Sequence, residues 1–181
     1  MRHELVALTD EHDISDFSCG VDWLDRYLTN EASSAHASGA TRTHVWLHEG
    51  TSAVCAYVTL MNVPISPSGL PKRVRGSFRE SMPGYLIAKL ALHQDLRRQG
   101  LGTDLLTDAL TTIVRAADAT GGRLIVVDAI HDAPRALYKR ADFTPIEGSN
   151  RLWMKVSTAR AALSPGLESG QIPIVPSAEG S

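Results

Sequence analysis

Asp95 to Leu106 reads DLRRQGLGTDLL: two arginines and a glutamine run into Gly-Leu-Gly, and apolar residues then recur at helical spacing. Positions 101, 105, 106, 109, 110, 113, 114 and 117 are apolar and fall on one helix face about four turns long. Before the stretch lies YLIAKLALH, nearly continuous in apolar residues, which predicts a central strand covered on both sides. The glycines therefore sit where a buried strand turns into a helix. A helix start leaves backbone N–H groups unpaired and carries partial positive charge. Glycine lets the chain turn tightly and lets a ligand approach the backbone. With Arg97 and Arg98 adding donors, the turn reads as a phosphate cradle. It is no P-loop, because Gly102 is not followed by lysine, and no dinucleotide fingerprint, because Leu105 stands where a third small residue belongs.

The rest of the chain supplies one domain. Its 181 residues are 43% hydrophobic and 21% charged, with a net charge of −2, which argues against wholesale coating of nucleic acid but permits a local basic face. No apolar run reaches membrane-spanning length and the first residues lack the apolar core of a signal peptide. Two cysteines, Cys19 and Cys55, form no metal or disulfide pattern and suit a reducing cytoplasm. HELVAL reads as a first strand, residues 22–38 as a helix stopped at Gly39, and RTHVWLHE with SAVCAYVTLMNVPI as an antiparallel hairpin. SPSGLPKRVRGSFRESMPG reads as a long basic loop. GGRLIVVDAI is a second buried strand, DAPRALYKRA a short helix with Asp132 as N-cap, and FTPIEG with RLWMKV a closing hairpin. Residues 1–157 make the domain, and residues 158–181, rich in Pro, Gly, Ser and Ala, are expected to be a flexible tail. The order predicts a mixed α/β domain without the regular alternation of a doubly wound fold.

RRQGLG resembles the R/Q-x-x-G-x-G/A motif of GNAT-type N-acetyltransferases, with Arg97, Gly100 and Gly102 at its defining positions. The order of elements is similar to that family from about residue 4 to 156. The resemblance implies the GNAT fold: a mixed, mostly antiparallel sheet with one splayed pair of strands, flanked by helices. It implies acetyl-CoA as cosubstrate, its pyrophosphate held by Arg97, Arg98, Gln99, Gly100, Leu101, Gly102 and Thr103. Leu90, Ala91 and Leu92 would line the pantetheine arm, with Leu90 and Leu92 offering backbone groups.

Acetyl transfer to an amine needs a neutral amine, donors for the carbonyl oxygen and a stabilised leaving thiolate. Tyr138, in RALYKRADF, stands where such enzymes often carry a tyrosine aimed at the sulfur. A tyrosine near 10 and a thiol near 8.5 make full proton transfer uphill by roughly 1.5 units, so Tyr138 is expected to act as a hydrogen-bond donor. A general base is hard to find: Lys89 stands where several relatives place a carboxylate, and His93 could act only through a water. An α-amine near 7.7–8.0 needs less help than a lysine amine near 10.4, so the sequence leans toward an α-amine substrate.

PKRVRGSFRE brings together Lys72, Arg73, Arg75 and Arg79 around Phe78, and Lys139 and Arg140 follow Tyr138. Basic residues with an aromatic among them suit phosphate contacts and base stacking, and both groups are expected on the acceptor side. FSCGVDWLDRYL, with Cys19, Gly20, Leu24, Asp25, Tyr27 and Leu28, together with TRTHVWL and AYVTL, resembles the GNAT toxins of bacterial toxin–antitoxin pairs. That likeness implies acetylation of the α-amine of aminoacyl-tRNA, arrested translation, a ribbon-helix-helix antitoxin, a homodimer and a cytoplasmic location. It implies Tyr138 as catalytic acid and the six basic residues as tRNA contacts. Cys19 is expected to be a buried structural thiol. His44 and His48 share a strand face without further ligands at suitable spacing, so no metal is expected. The alternatives are an acetyltransferase for a protein or small-molecule amine, and a non-catalytic acyl-CoA-binding module.

Overall fold

The computed structural model describes residues 3–164. Along the chain come β1 (Val6–Ala7), α1 (Asp22–Asn30), α2 (Ala32–Ala37), β2 (Arg42–Leu47), β3 (Val54–Ile65), α3 (Lys72–Arg75) and β4 (Met82–Leu92). A single 3-10 turn, Gln94–Leu96, leads to α4 (Leu101–Thr120), β5 (Leu124–Asp128), α5 (Asp132–Arg140), β6 (Thr144–Pro145), β7 (Arg151–Lys155) and α6 (Val156–Leu163). The seven strands form one open sheet in the order β1-β2-β3-β4-β5-β7-β6. Every pairing is antiparallel except that of β4 with β5. The long α4 is the crossover between those two parallel strands, as a parallel pair requires.

The apolar pattern of each strand sorts its side chains onto two faces. Tyr85, Ile87, Ile125, Val127, Leu152 and Met154 pack with α4, α5 and α6 on what we call the front. Leu86, Leu124, Val126 and Trp153 point to the back, where Leu70, Val74 and Phe78 of the β3–β4 connection cover them. The other half of the back, including Val45, Tyr57 and Ala91, is covered by Phe17, Tyr27, Leu28 and Ala32. The back thus has two separate apolar lids, and β4 runs between them.

Pairing of β4 with β5 stops at Ile87 opposite Val127, while residues 88–92 continue against β3 alone. At the same place the β3–β4 register slips: Thr59 pairs with Lys89 and Leu60 with Ile87, leaving Ala88 as an extra residue. Such a bulge bends a strand and re-aims its side chains. Odd-numbered Tyr85 and Ile87 face front, but beyond Ala88 it is Leu90 that joins the front cluster and Ala91 the back.

Several expectations are corrected. β1 is two residues rather than six. The first helix breaks at Glu31, whose φ of −126° is not helical, so α2 turns to press Ala32 onto the sheet. The basic segment is not wholly loop: Pro71 starts α3, and burial of Val74 holds it in place. Asp132 is the first residue of α5 and not its cap; extended His131 precedes it, and Asp132 complements the helix dipole instead. The expected tail begins with α6, because Val156 and Ala159 are buried in the front core and Arg160 pairs with Asp118 of α4. Residues 165–181 of that tail lie outside the described residues. Among the described residues no helix is long and apolar enough to cross a membrane.

The place of α6 is testable. Ala159 is 1% exposed, so Ala159→Asp buries a charge with no partner and should lower unfolding stability by about 2–4 kcal/mol in urea titrations. A change under about 0.5 kcal/mol would show that α6 does not pack on the core.

Candidate active site

The opening between β4 and β5 is bounded at one end by the turn that the sequence singled out. His93 accepts a hydrogen bond from Asp95 N–H at 3.3 Å and starts the 3-10 turn. Gln99 Nε2 donates to the Asp95 carbonyl at 2.9 Å and closes the loop on itself. Arg98 takes a left-handed φ of 60° and Gly100, the N-cap of α4, a φ of 78°. These reversals leave the first N–H groups of α4 without intrahelical partners at the exposed tip. Gly102 sits one turn deeper, where a Cβ would lie 3.8 Å from both Leu92 and Leu137. The start of α4, the end of β4 and the last turn of α5 therefore meet at one point.

Tyr138 follows Leu137 on α5. Its ring lies in the front cluster with Ile87, Leu90 and Val127, the residues at which the strands part, and 5.7 Å from Phe143. Its hydroxyl makes no hydrogen bond within the described residues. Nor is it among the sealed polar atoms without partners, although the residue as a whole is buried. Burial, helped by the nearby Asp128 carboxylate, pushes the phenol up to about 12. Asp128 is itself gripped by Arg151 through two bonds of 2.7 Å, which fixes the end of β5 to β7 where β4 leaves it.

Arg97 does more than the sequence suggested. Its guanidinium donates to the carbonyl of Cys19 and lies over Gly20. The same turn receives a 2.9 Å bond from Gln94 N–H to the Ser18 carbonyl. Asp25 of α1 accepts from Cys19 N–H at 2.8 Å and from Ser18 Oγ at 3.2 Å. Partial burial alone would raise the Asp25 carboxyl, but these bonds hold it below the usual carboxylate range. The cofactor-side turn and the start of α1 are thus tied together. The contact joins residues 78 apart, and no local pattern announces it. Asp25 was visible only as part of a resemblance, without a role.

Other expected residues fall as follows. The Cys19 thiol is buried and burial pushes it up to about 11, an inert group. His93 is a cap against Phe17 and His48 rather than a base facing the opening. Phe78 is not free to stack on a base, because it packs in the back cluster under the Arg123 guanidinium at 5.4 Å. Lys72, Arg73, Arg75 and Arg79 are exposed on the back, whereas Lys139 and Arg140 are exposed at the end of α5 on the front. The two groups therefore lie on opposite faces of the sheet, because α3 packs on the back and α5 on the front. Among the described residues, no three His, Cys, Asp or Glu side chains gather as metal ligands would.

Known proteins are similar to this chain in sequence and fold. The chain is 35% identical over 136 residues to the tRNA-acetylating toxin of Mycobacterium tuberculosis (strain ATCC 25618 / H37Rv), covering 75% of this chain and 81% of that one. It belongs to the family of tRNA-acetylating GNAT toxins. A probable toxin TacT of Sinorhizobium fredii (strain NBRC 101917 / NGR234) is 26% identical over 164 residues, covering 85% of this chain and 91% of the relative. Among solved structures, a tyrosine-to-phenylalanine variant of KacT superposes with a TM-score of 0.83 at 21% identity, over 90% of this chain and 99% of that one. AtaT complexed with acetyl-methionyl-tRNAfMet gives 0.81 at 23% identity, over 89% and 99% of the two chains. No protein-family model matches the chain.

The turn predicts its own sensitivity. Gly100→Val forces a Cβ into a left-handed conformation and should lower stability by roughly 1–2 kcal/mol. It should also raise the acetyl-CoA Kd at least tenfold by calorimetry. Gly100→Asn, which tolerates that conformation, should be milder in both. Equal affinity in all three proteins would remove the turn from the cofactor site.

Proposed function

We propose that this chain transfers the acetyl group of acetyl-CoA to the α-amine of aminoacyl-tRNA and so blocks translation. The observation that carries the reading is the meeting of Gly102, Leu92 and Leu137, which sets a diphosphate-ready turn, an opened strand edge and Tyr138 around one opening. It is supported by the curated relative, which is a tRNA-acetylating toxin, and by AtaT, solved with acetyl-methionyl-tRNAfMet and with acetyl-CoA.

The residues present fit acetyl-CoA. The N–H groups of Leu101 and Gly102 at the start of α4 suit its diphosphate, with the exposed Arg98 guanidinium and the remaining donors of Arg97 beside them. Leu90, Ala91 and Leu92 lie on the edge of β4 that β5 has left, so their backbone can meet an extended amide-bearing arm. Lys139 and Arg140, on the front beside Leu137, stand on this cofactor side. Acetyl-CoA supplies an activated carbonyl and a thiolate leaving group.

Tyr138 keeps its proton across the working range, because its folded value of about 12 lies some 3.5 units above an ordinary thiol. It is therefore suited to donate a hydrogen bond toward the sulfur as negative charge builds there. The front is filled by α4, α5 and α6, so the acceptor enters from the back, between the two lids. There the exposed Lys72, Arg73, Arg75 and Arg79 suit the phosphates of tRNA. At pH 7.5 an α-amine is roughly one-third neutral, and a lysine side-chain amine roughly 0.1%; a site without a carboxylate base suits the first. The reading extends to a ribbon-helix-helix antitoxin, a homodimer and a bacterial cytoplasmic location; AtaT has been solved with the C-terminus of its antitoxin AtaR, and KacTA with DNA.

The deciding experiment is incubation with labelled acetyl-CoA and total charged tRNA, followed by identification of the acetylated amino acid; label on protein or polyamine instead of tRNA overturns the reading. Tyr138→Phe should lower kcat by about 10²–10³ with little change in acetyl-CoA affinity and relieve growth arrest. With the phenol at about 12, the wild-type rate should show no alkaline fall from Tyr138 below about pH 11. Replacing Arg73, Arg75 and Arg79 together by Gln should flatten the salt dependence of tRNA binding, by up to about 0.7–0.9 in log–log slope per lost phosphate contact.

A further inference from the structure

One charged side chain beside the parting of β4 and β5 forms no ion pair among the described residues. Lys89 lies two residues past the last β4–β5 pair, and the Ala88 bulge turns it to the back, between the Leu86 and Ala91 lids. Its Nζ rests 3.7 Å from the centroid of the Tyr27 ring. Tyr27 is buried, bonded through its hydroxyl to Thr41 Oγ1 at 3.2 Å and stacked on Tyr57 at 6.3 Å. The ammonium is therefore held by a fixed aromatic face rather than neutralised by a carboxylate. The titratable and charged groups on the surrounding elements are otherwise occupied. Asp25 of α1 is bonded to Cys19 and Ser18, Tyr57 of β3 donates to the Leu24 carbonyl, and Asp128 of β5 is paired with Arg151. The Cys19 thiol stays protonated. His36 of α2 accepts from Thr43 N–H, and Asp22 and Arg26 of α1 form no ion pair with Lys89.

We propose that Lys89 is the specificity-determining residue of the acceptor site: its unpaired ammonium favours the neutral form of an amine docked at the opening and so takes the place of a general base. A like charge nearby disfavours the protonated amine. An acceptor that is already weakly basic, such as the α-amine of an amino acid esterified through its carboxyl group, becomes almost wholly nucleophilic. A lysine side chain stays protonated and is repelled. A carboxylate at this position would do the opposite and hold the ammonium form. This inference rests on the proposed function and names the acceptor chemistry of the same site.

The test compares wild type, Lys89→Met, Lys89→Gln and Lys89→Arg as full-length chains. kcat at saturating acceptor, which reports the groups of the bound complex, is measured from pH 6 to 9.5 with aminoacyl-tRNA and with an amino-acid methyl ester, and acetyl-CoA binding by calorimetry. The neutral variants should move the rising limb up by about one pH unit with both acceptors, while Lys89→Arg stays within a few tenths of wild type. Acetyl-CoA affinity should be the same in all four. A uniform loss of rate with no shift of the limb would make Lys89 a packing residue and overturn the proposal. If wild type acetylates the ester but no aminoacyl-tRNA, the proposed function fails, and the ester profiles still decide the role of Lys89.

Discussion

The parting of β4 from β5 governs everything else in the site. Two parallel strands joined by a twenty-residue helix would ordinarily pair along their common length, because a strand edge left open carries unsatisfied N–H and C=O groups. Here pairing ends at Ile87 and Val127, and Ala88 is inserted at that point. The insertion also reverses which faces the next residues serve. Without it, Lys89 would point into the apolar front beside Leu106 and Leu110, and Leu90 would point to the back. Opening the edge and setting a cation on the acceptor side are thus one structural event. The open edge is tolerated because β4 stays paired with β3 on either side of the Ala88 bulge and because Leu90 and Leu92 still partly bury their side chains in the apolar clusters that α4 helps to form.

The turn after β4 shows how strain is held. A non-glycine residue in the left-handed region, as at Arg98, costs roughly 1–2 kcal/mol. That cost is offset by fixation on both sides: the Gln99 amide bonded back to Asp95, the Gln94 bond to Ser18, and the Arg97 grip on Cys19. The grip reaches the start of α1, where Asp25 fixes the same peptide. A shift of Arg97 toward a bound diphosphate would therefore be felt at the helix that carries Tyr27, and through Tyr27 at Lys89.

How far the sequence disclosed this follows from the range of each interaction. The α4 face, the β4 run and the Gly100–Gly102 turn were legible because their signals are local: periodicity, continuous apolarity and glycine at a reversal. The mixed α/β class followed from their order; its GNAT form was what the resemblance of RRQGLG and its surroundings implied, and the similar solved structures agree. Features set by contacts distant in sequence were not legible. The break at Glu31 follows from Ala32 reaching the sheet, and α6 exists because Ala159 finds the α4 groove; its small, weakly apolar residues read as tail. The separation of Arg73 from Arg140 onto opposite faces depends on which side of the sheet α3 and α5 cover, and spacing along the chain does not encode that. Phe78 shows the same limit: an aromatic among arginines looks like a stacking platform until Val74 and Trp153 are seen to share its cluster.

The overall charge of −2 hides an arrangement that suits a polyanionic substrate. Lys72, Arg73 and Arg75 stand on one short turn of helix, and the exposed Arg79 follows four residues after it. None of the four is tied up in an ion pair within the described residues. The acidic residues that balance the sum are partly committed elsewhere: Asp25 to a turn, Asp118 to Arg160, Asp128 to Arg151. Unpaired cations on the acceptor face and consumed anions around it create a positive local field in a nearly neutral protein. On the proposed reading, Lys89 adds a charge of the same sign where β4 parts from β5, so one field would both attract the phosphates of an acceptor and favour the neutral form of its amine.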